Sequence, residues 1–173
     1  MTIDLNTLIF SKLTDDSDVS SFVCTASTDL EDFLRNDAKT RQHEKISTTY
    51  LVCSGDVLVG FFSLSMGCIT SDSVKKMELG IEDPPRKFPA LLLARMATRD
   101  GMRCQGIGRE MLKRVFAMGF RLTDRIGCRF VKVDAKNDPR TISFYAKYGG
   151  FKEISHDGET VTMVVDINKI SAE

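Results

Sequence analysis

Residues 103–108, Arg-Cys-Gln-Gly-Ile-Gly, constrain the fold of this chain more than any other segment. An apolar run at residues 90–97 precedes them, and a stretch with helical spacing of apolar residues follows to about residue 122. The sequence therefore predicts a strand, a tight turn with two glycines, and a helix. In such a turn the backbone N–H groups converge at the helix N-terminus, which is an arrangement that binds a diphosphate.

Two other phosphate-binding motifs fit this segment less well. A Walker loop ends in Gly-Lys-Ser/Thr, whereas Gly108 is followed by Arg109 and Glu110. A dinucleotide-binding fingerprint has a third glycine three residues after Gly108, and that position is Met111. A Gly-x-Gly by itself is more often an ordinary turn, but the flanking strand and amphipathic helix favour anion binding here.

The pattern Arg/Gln-x-x-Gly-x-Gly/Ala resembles the acetyl-CoA loop of the Gcn5-related N-acetyltransferase (GNAT) superfamily. Residues 93–97 and 131–135 match the family's fourth and fifth strands, and Ser143-Phe144-Tyr145 and Gly149-Gly150-Phe151 match its Phe-Tyr and Gly-Phe signatures. The resemblance covers roughly residues 8–167 and is strongest over 89–151. The family has one glycine before this phenylalanine, so the turn after the last helix is expected to be one residue longer here.

The resemblance implies a fold and a reaction. The expected fold is α/β (α+β), a single domain over residues 1–173, with a mixed, splayed central sheet of six to seven strands flanked by about four helices. The residue pattern itself predicts the order β-α-β-β-variable-β-α-β-α-β. The expected reaction is direct transfer of acetyl from acetyl-CoA to a primary amine, with no covalent enzyme intermediate and no metal.

The resemblance also assigns roles to individual residues. Tyr145 takes the place of the family's general acid, which protonates the departing thiolate; its alternative is a core aromatic. Backbone groups of Met96 and Ala97 match a bulge that pairs with pantetheine and polarises the thioester carbonyl. Asn137 matches a frequent CoA contact, and a plain polar turn residue is an equal alternative. The residues expected to bind the diphosphate are Arg103, Cys104, Gln105, Gly106, Ile107, Gly108 and Arg109.

The residue that deprotonates the amine stays open. Glu78, Asp100 and Asp134 are candidates by location alone, and many family members need no dedicated base.

Three short patterns predict where elements begin or turn. Thr28-x-x-Glu31 is typical of a capping box that opens a helix. The triplet at residues 54–56, Ser-Gly-Asp, predicts a hairpin between two β-favouring runs. Asp138 followed by Pro139 predicts an N-cap and the first position of a helix that ends near residue 148.

The composition excludes several classes of protein. The five cysteines are odd in number and lack a Cys-x-x-Cys pair, so a disulfide framework is not expected. His43 and His156 are far apart, which argues against a zinc site. No apolar run approaches the roughly 18 to 20 residues of a membrane span. The N-terminus lacks the features of a signal peptide, so a cytoplasmic protein is expected.

Charge is unevenly distributed although the net charge is zero. Residues 1–37 hold eight acidic side chains against two basic ones, and residues 103–132 hold eight basic side chains against two acidic ones. The basic side chains are Arg103, Arg109, Lys113, Arg114, Arg121, Arg125, Arg129 and Lys132. They exceed what one CoA needs, and RNA would account for the rest, although a solvated helix face is the simpler explanation.

The acceptor amine is predicted from these charges and from a second resemblance. Residues 22–24, 30–35, 47–50 and 89–97 resemble a GNAT subgroup that includes toxins of toxin–antitoxin modules, which acetylate the α-amine of aminoacyl-tRNA. We therefore expect aminoacyl-tRNA as acceptor; the existence of an antitoxin partner and of a homodimer is left open. The alternatives are a generic small-molecule or protein amine acetyltransferase and a non-catalytic acyl-CoA-binding module.

Overall fold

The computed structural model describes residues 3–170, and its core element is one mixed sheet. The strands are β1 (Leu8–Lys12), β2 (Thr48–Ser54), β3 (Val57–Thr70), β4 (Lys87–Thr98), β5 (Phe130–Lys136), β6 (Lys152–Asp157) and β7 (Thr160–Asp166). Their order is β1-β2-β3-β4-β5-β7-β6. The pairing of β4 with β5 is parallel and joins Ala90–Leu93 to Phe130–Val133, whereas β5 pairs antiparallel with β7 along its whole length.

Four α-helices accompany the sheet within residues 3–170: α1 (Thr28–Asp32), α2 (Ala38–His43), α3 (Ile107–Thr123) and α4 (Pro139–Gly149). A π-helical turn, Phe33–Asp37, joins α1 to α2 without a break. Short 3₁₀ helices lie at Leu5–Thr7, Asp72–Met77 and Ile167–Lys169. The predicted mixed α/β sheet with about four helices is confirmed.

The sequence pattern missed the strand β6. Its side chains are polar and mostly exposed because it pairs only with β7 and forms the last strand of the sheet. An edge strand with two solvated faces lacks the alternation of apolar and polar residues that marks a half-buried strand.

The capping box predicted at Thr28 is wrong, although α1 does begin there. The N-cap is Ser27, which makes no side-chain capping bond. Glu31 instead accepts the N–H of Cys24 at 2.8 Å and pairs with Arg35 at 2.8 Å. The Glu31 carboxylate therefore binds Cys24 N–H and Arg35, and not the backbone at the helix N-terminus as the motif predicts.

The other two local predictions are confirmed. Gly55, with φ 58°, lies in the turn between β2 and β3, which pair antiparallel. Asp138 caps α4, with its carboxylate accepting the N–H groups of Arg140 at 3.1 Å and Thr141 at 3.0 Å.

The chain divides into two compact units. The first comprises the chain up to Ser65 and Ala94–Lys113, and the second Met66–Leu93 and the chain from Arg114 onward. In the first unit Phe22 and Phe61 are fully buried and meet edge to face at 5.3 Å. In the second unit Phe88 and Phe130 meet in the same way at 5.6 Å. Burying each such ring contributes about 2 to 3 kcal/mol to stability. The single domain over 1–173 stays a prediction.

Candidate active site

Residues 103–108, here called the glycine loop, belong to the first unit. The loop turns through two left-handed backbone positions. Cys104 has φ 61° and Gly106 has φ 87°. Helix α3 begins at Ile107, and Glu110 donates its N–H to Gly106 O at 3.1 Å. The N–H groups of Ile107, Gly108 and Arg109 come before that bond, so helix geometry leaves them without a partner inside the helix. They form a positive helix end suited to a diphosphate.

Ile3 and Leu5 pack on this loop. A Cβ atom added to Gly106 would lie 2.8 Å from Leu5 Cδ1. The Gln105 side chain accepts the N–H of Ile3 at 3.0 Å and donates to Gly101 O at 3.3 Å. Gln105 therefore stabilises the loop through its own side chain, and Gly106 avoids both a steric contact and an unfavourable φ.

Arg103 points toward a buried thiol. Its Nη2 donates to Cys24 Sγ at 3.3 Å and lies 3.2 Å from Asp100 Oδ1. Asp100 in turn accepts the N–H of Thr25 at 2.8 Å, and this hydrogen bond lowers the pKa of Asp100. Burial raises the pKa of the Cys24 thiol, which favours its neutral form. The network ties the loop to the segment before α1.

Met96 and Ala97 lie on β4 beyond Leu93, the last residue that pairs with β5. Ala97 is buried and Met96 is half-buried. A Cβ atom at Gly60 on β3 would lie 3.0 Å from Ala97 O and 3.3 Å from Met111 Sδ. Gly60 therefore allows the close approach of this part of β4. Sequence reasoning missed Gly60 because a lone glycine within an apolar strand does not show what approaches it.

Tyr145 belongs to the second unit and lies on α4. It is 7% exposed, and its ring meets Phe144 at 5.3 Å and Phe151 at 5.5 Å, both edge to face. Burial raises the pKa of Tyr145 well above its usual value. Among residues 3–170 the hydroxyl has no hydrogen-bond partner. The side chain is therefore a protonated phenol that no described protein group engages.

Each of the paired glycines after Tyr145 has its own function. A Cβ atom at Gly149 would lie 2.5 Å from the ring of Phe151. Gly150 has φ 65° and ends the helix by donating its N–H to Tyr145 O. One glycine thus provides space and the other provides the conformation.

Asn137 is engaged with the turn between β6 and β7. Its side-chain Nδ2 donates to Gly158 O at 3.0 Å, and its backbone N–H donates to Glu159 O at 2.8 Å. The structure thus gives Asn137 a local role in joining β5 to this turn.

Two of the three candidate bases, Asp100 and Asp134, are engaged in hydrogen bonds and ion pairs within the protein. Asp100 is bonded to Thr25 and Arg103 as described above. Asp134 accepts the Thr162 hydroxyl at 2.7 Å and lies 3.2 Å from Lys132 Nζ. Glu78 is exposed, with φ 47°, at the end of the helix Asp72–Met77.

At least four residues of the basic cluster are paired with carboxylates. Arg103 pairs with Asp100 (3.2 Å), Lys113 with Glu110 (2.8 Å), Arg129 with Asp166 (2.9 Å) and Lys132 with Asp134 (3.2 Å). Arg109, Arg121 and Arg125 are exposed. The charge available to an external anion is therefore smaller than the sequence suggests.

The sequence analysis assigned no role to Arg95, which also belongs to the first unit. Arg95, on β4 directly before Met96, holds its guanidinium carbon 5.4 Å from the centre of the Phe33 ring. The two residues are far apart in the sequence, and no local pattern links them.

The predicted site residues thus fall into two groups. The loop residues 103–109 lie together in the first unit with Met96 and Ala97, and Asn137 and Tyr145 lie in the second unit. No helix within residues 3–170 is long and apolar enough to span a membrane. Within the same residues no cluster of three or more His, Cys, Asp and Glu side chains could hold a metal ion.

The family follows from a match to the whole central part of the chain. The model of the acetyltransferase (GNAT) family matches residues 13–151. The chain belongs to the GNAT acetyltransferase family. The membership expected from the glycine loop is confirmed, and with it an enzyme class that transfers acetyl groups.

This GNAT chain is similar to a tRNA-acetylating toxin and to AtaT in two solved structures. It is 27% identical over 138 residues to the tRNA-acetylating toxin of Mycobacterium tuberculosis, covering 79% of this chain and 80% of that protein. AtaT in complex with acetyl-methionyl-tRNAfMet has a TM-score of 0.77 at 21% identity, covering 90% and 93% of the two chains. A tyrosine-to-phenylalanine mutant of AtaT, bound to acetyl-CoA and the C-terminus of the antitoxin AtaR, has a TM-score of 0.73 at 21% identity, covering 93% and 94%. The two structures show a shared fold.

Proposed function

We propose that this GNAT protein transfers the acetyl group of acetyl-CoA to the α-amine of aminoacyl-tRNA. The observation that carries the proposal is the relationship to a tRNA-acetylating toxin along about four-fifths of both chains. The AtaT structures support it, since one holds an acetylated methionyl-tRNA and another holds acetyl-CoA.

In the proposed complex the glycine loop binds the diphosphate of acetyl-CoA. The N–H groups of Ile107, Gly108 and Arg109 are the donors, and the left-handed positions Cys104 and Gly106 aim them at one volume. Arg103 and Gln105 act indirectly, because their side chains bind Cys24, Asp100 and the backbone of the loop.

The chemical step uses backbone on β4 and a phenol on α4. The neutral α-amine attacks the thioester carbonyl, and an N–H in the Met96–Ala97 segment stabilises the developing oxyanion, which is worth about 3 to 4 kcal/mol in comparable sites. As the C–N bond forms and the C–S bond breaks, Tyr145 donates its proton to the sulfur. The raised pKa of Tyr145 keeps this proton in place over the physiological pH range. The amine loses its proton to solvent, and solvent reprotonates Tyr145.

An antitoxin partner and a cytoplasmic location belong to the same proposal. AtaT is bound by its antitoxin AtaR, and charged tRNA is a cytoplasmic substrate. An enzyme that removes the free α-amine from charged tRNA blocks its use as an acceptor of peptide bonds, so control by a partner protein follows from the chemistry.

Acetyl transfer to purified substrates tests the proposal. With labelled acetyl-CoA we expect product on charged tRNA and none on uncharged tRNA, which lacks the α-amine. Expression without a partner protein is expected to arrest growth, and Tyr145→Phe to relieve the arrest.

A generic amine acetyltransferase is the second candidate. The zero net charge and the four carboxylate-paired basic residues favour it. Acetylation of lysine peptides or polyamines, with none on charged tRNA and no effect on growth, would select this function instead.

A further inference from the structure

We infer that Arg95, stacked on Phe33, determines acceptor specificity by binding the phosphate of the terminal nucleotide that carries the amino acid. The inference rests on the proposed function and names the group in the first unit that recognises the acceptor. Arg95 contributes to binding of the acceptor and takes no part in the transfer of the acetyl group.

The guanidinium of Arg95 is held from two sides. Its Nη1 donates to Ala94 O at 2.8 Å, and its carbon lies 5.4 Å from the centre of the Phe33 ring. Phe33 in turn stacks on the buried Phe61, with ring centres 6.2 Å apart and planes 20° apart. The rings of Phe61 and Phe33 therefore connect the guanidinium to the core and hold it in place, although Arg95 itself is exposed.

No carboxylate among residues 3–170 neutralises this cation. Two other arginines of the first unit differ in this respect, since Arg35 pairs with Glu31 and Arg103 pairs with Asp100. Stacking leaves the N–H donors at the edge of the guanidinium available, and a planar fork of this kind binds phosphate with two parallel hydrogen bonds.

Phe33 stands at the first position of the π-helical turn between α1 and α2. Such turns insert an extra residue into a helix and are frequent at functional sites. The ring of Phe33 packs under Arg95. The turn shifts the helical phase of the residues that follow Phe33. A regular helix over residues 28–43 would place the residues after Phe33 on different faces of the helix.

The position of Arg95 in the chain selects the phosphate. Arg95 directly precedes Met96, whose backbone is proposed to flank the thioester. In a charged tRNA the carboxyl group of the amino acid is esterified to the terminal ribose, and the α-amine is free. The 5′-phosphate of that same nucleotide is therefore the anion nearest to the amine. A lysine side chain or a polyamine carries no such anion, and a cation at this point would repel their charge.

Two stable acceptors isolate this contact: 3′-aminoacylamino-3′-deoxyadenosine with and without a 5′-phosphate. For the wild-type enzyme we expect the phosphate to lower KM about tenfold or more. Arg95→Gln is expected to abolish this difference, while KM for the unphosphorylated acceptor and Kd for acetyl-CoA stay within about twofold. Arg95→Lys keeps the charge but loses the planar fork, so it should retain part of the difference.

Arg41→Gln is the matched control. Arg41 is an exposed arginine on α2, and its replacement removes the same charge without touching Phe33. We expect it to keep the full phosphate effect. Phe33→Leu tests the contact between Arg95 and the Phe33 ring, because it removes the ring but keeps an apolar side chain. It should weaken the phosphate effect.

The outcomes separate the two proposals. A phosphate effect that persists in Arg95→Gln, or that is absent from the wild type, overturns the role of Arg95 while transfer to charged tRNA still stands. A wild-type enzyme that acetylates neither adenosine acceptor nor charged tRNA, but does acetylate lysine peptides, overturns both.

Discussion

At the scale of single residues, Tyr145 and Tyr148 lie three positions apart on α4 in opposite environments. Tyr145 is 7% exposed and Tyr148 is 45% exposed. The burial that raises the pKa of Tyr145 also packs its ring between Phe144 and Phe151. The aromatic packing and the proposed proton donation are therefore compatible, since packing uses the ring and leaves the hydroxyl available.

Tyr145→Phe is expected to lower kcat about 10²- to 10⁴-fold and to leave acetyl-CoA affinity unchanged, because it removes only the hydroxyl that is proposed to donate a proton. Tyr148→Phe is the control and should have normal kcat. Steady-state kinetics with calorimetry of acetyl-CoA binding make the comparison. A Tyr145→Phe enzyme within about twofold of wild-type kcat, with chemistry rate-limiting, would return Tyr145 to a packing role.

The cysteines allow the glycine loop to be tested without mutation. Cys104, in the loop, and Cys68, on β3, are both exposed, and Cys24 and Cys128 are buried. We expect a thiol reagent to modify Cys104 and Cys68 rapidly in the native protein. Acetyl-CoA should slow the modification of Cys104 by about tenfold at saturation and leave Cys68 unaffected. Equal rates for Cys104 with and without acetyl-CoA, followed by mass spectrometry, would place the diphosphate elsewhere.

At the scale of elements, the turn into α3 depends on glycine for two separate reasons. Gly101 and Gly106 both have positive φ, 75° and 87°, but only Gly106 has a neighbour within 4 Å of an added Cβ atom. Alanine at either position is expected to cost about 1 kcal/mol of unfolding free energy through backbone strain.

Acetyl-CoA affinity is expected to distinguish these two glycines. Gly106→Ala should weaken binding by about tenfold or more, because Gly106 directly precedes the N–H groups that are proposed to bind the diphosphate. Gly101→Ala should change Kd by no more than about twofold. Calorimetry that gives equal Kd values for the two variants would separate the loop from cofactor binding.

The N-cap of α4 predicts an acid dependence of stability. Hydrogen bonds from the Thr141 hydroxyl and backbone N–H lower the pKa of Asp138. In acid the unfolded chain binds a proton at Asp138 before the folded chain does, so this contribution is present above the unfolded pKa of about 3.9 and is lost as pH falls below it.

Asp138→Ala is expected to cost about 1 kcal/mol at neutral pH, and less at pH 3. Asp138→Asn should keep most of the cap but lose its acid dependence. Urea unfolding at both pH values measures the effect. An equal cost at pH 3 and pH 7 for Asp138→Ala would show that the charge of the cap is not involved.

At the scale of the whole molecule, a neutral protein is proposed to bind a polyanion. At least four of the eight basic residues in 103–132 are paired with carboxylates. Binding of tRNA must then depend on a few exposed cations, and Arg121 and Arg125 near the end of α3 are among them. The dependence on salt should accordingly be modest for an RNA-binding enzyme.

We expect log KM for charged tRNA to rise linearly with log salt concentration. Replacing Arg121 and Arg125 with Gln should reduce the slope by about two units if both contact phosphates. Arg86→Gln, an exposed arginine before β4, is the control and should leave the slope unchanged. An unchanged slope in the double variant would show that the acceptor does not follow this end of α3.

Local residue patterns determined the strand, turn and helix around the glycine loop, the cap at Asp138, and the family. These features depend on neighbours in the chain, where spacing and backbone preference act directly. Tertiary structure alone decided the partners of charged side chains. Arg103 reaches Cys24, which lies 79 residues away in the sequence, Glu31 leaves its predicted capping role for Cys24 N and Arg35, and Arg95 stacks on Phe33. Such contacts form between elements that only folding brings together, so no local periodicity records them.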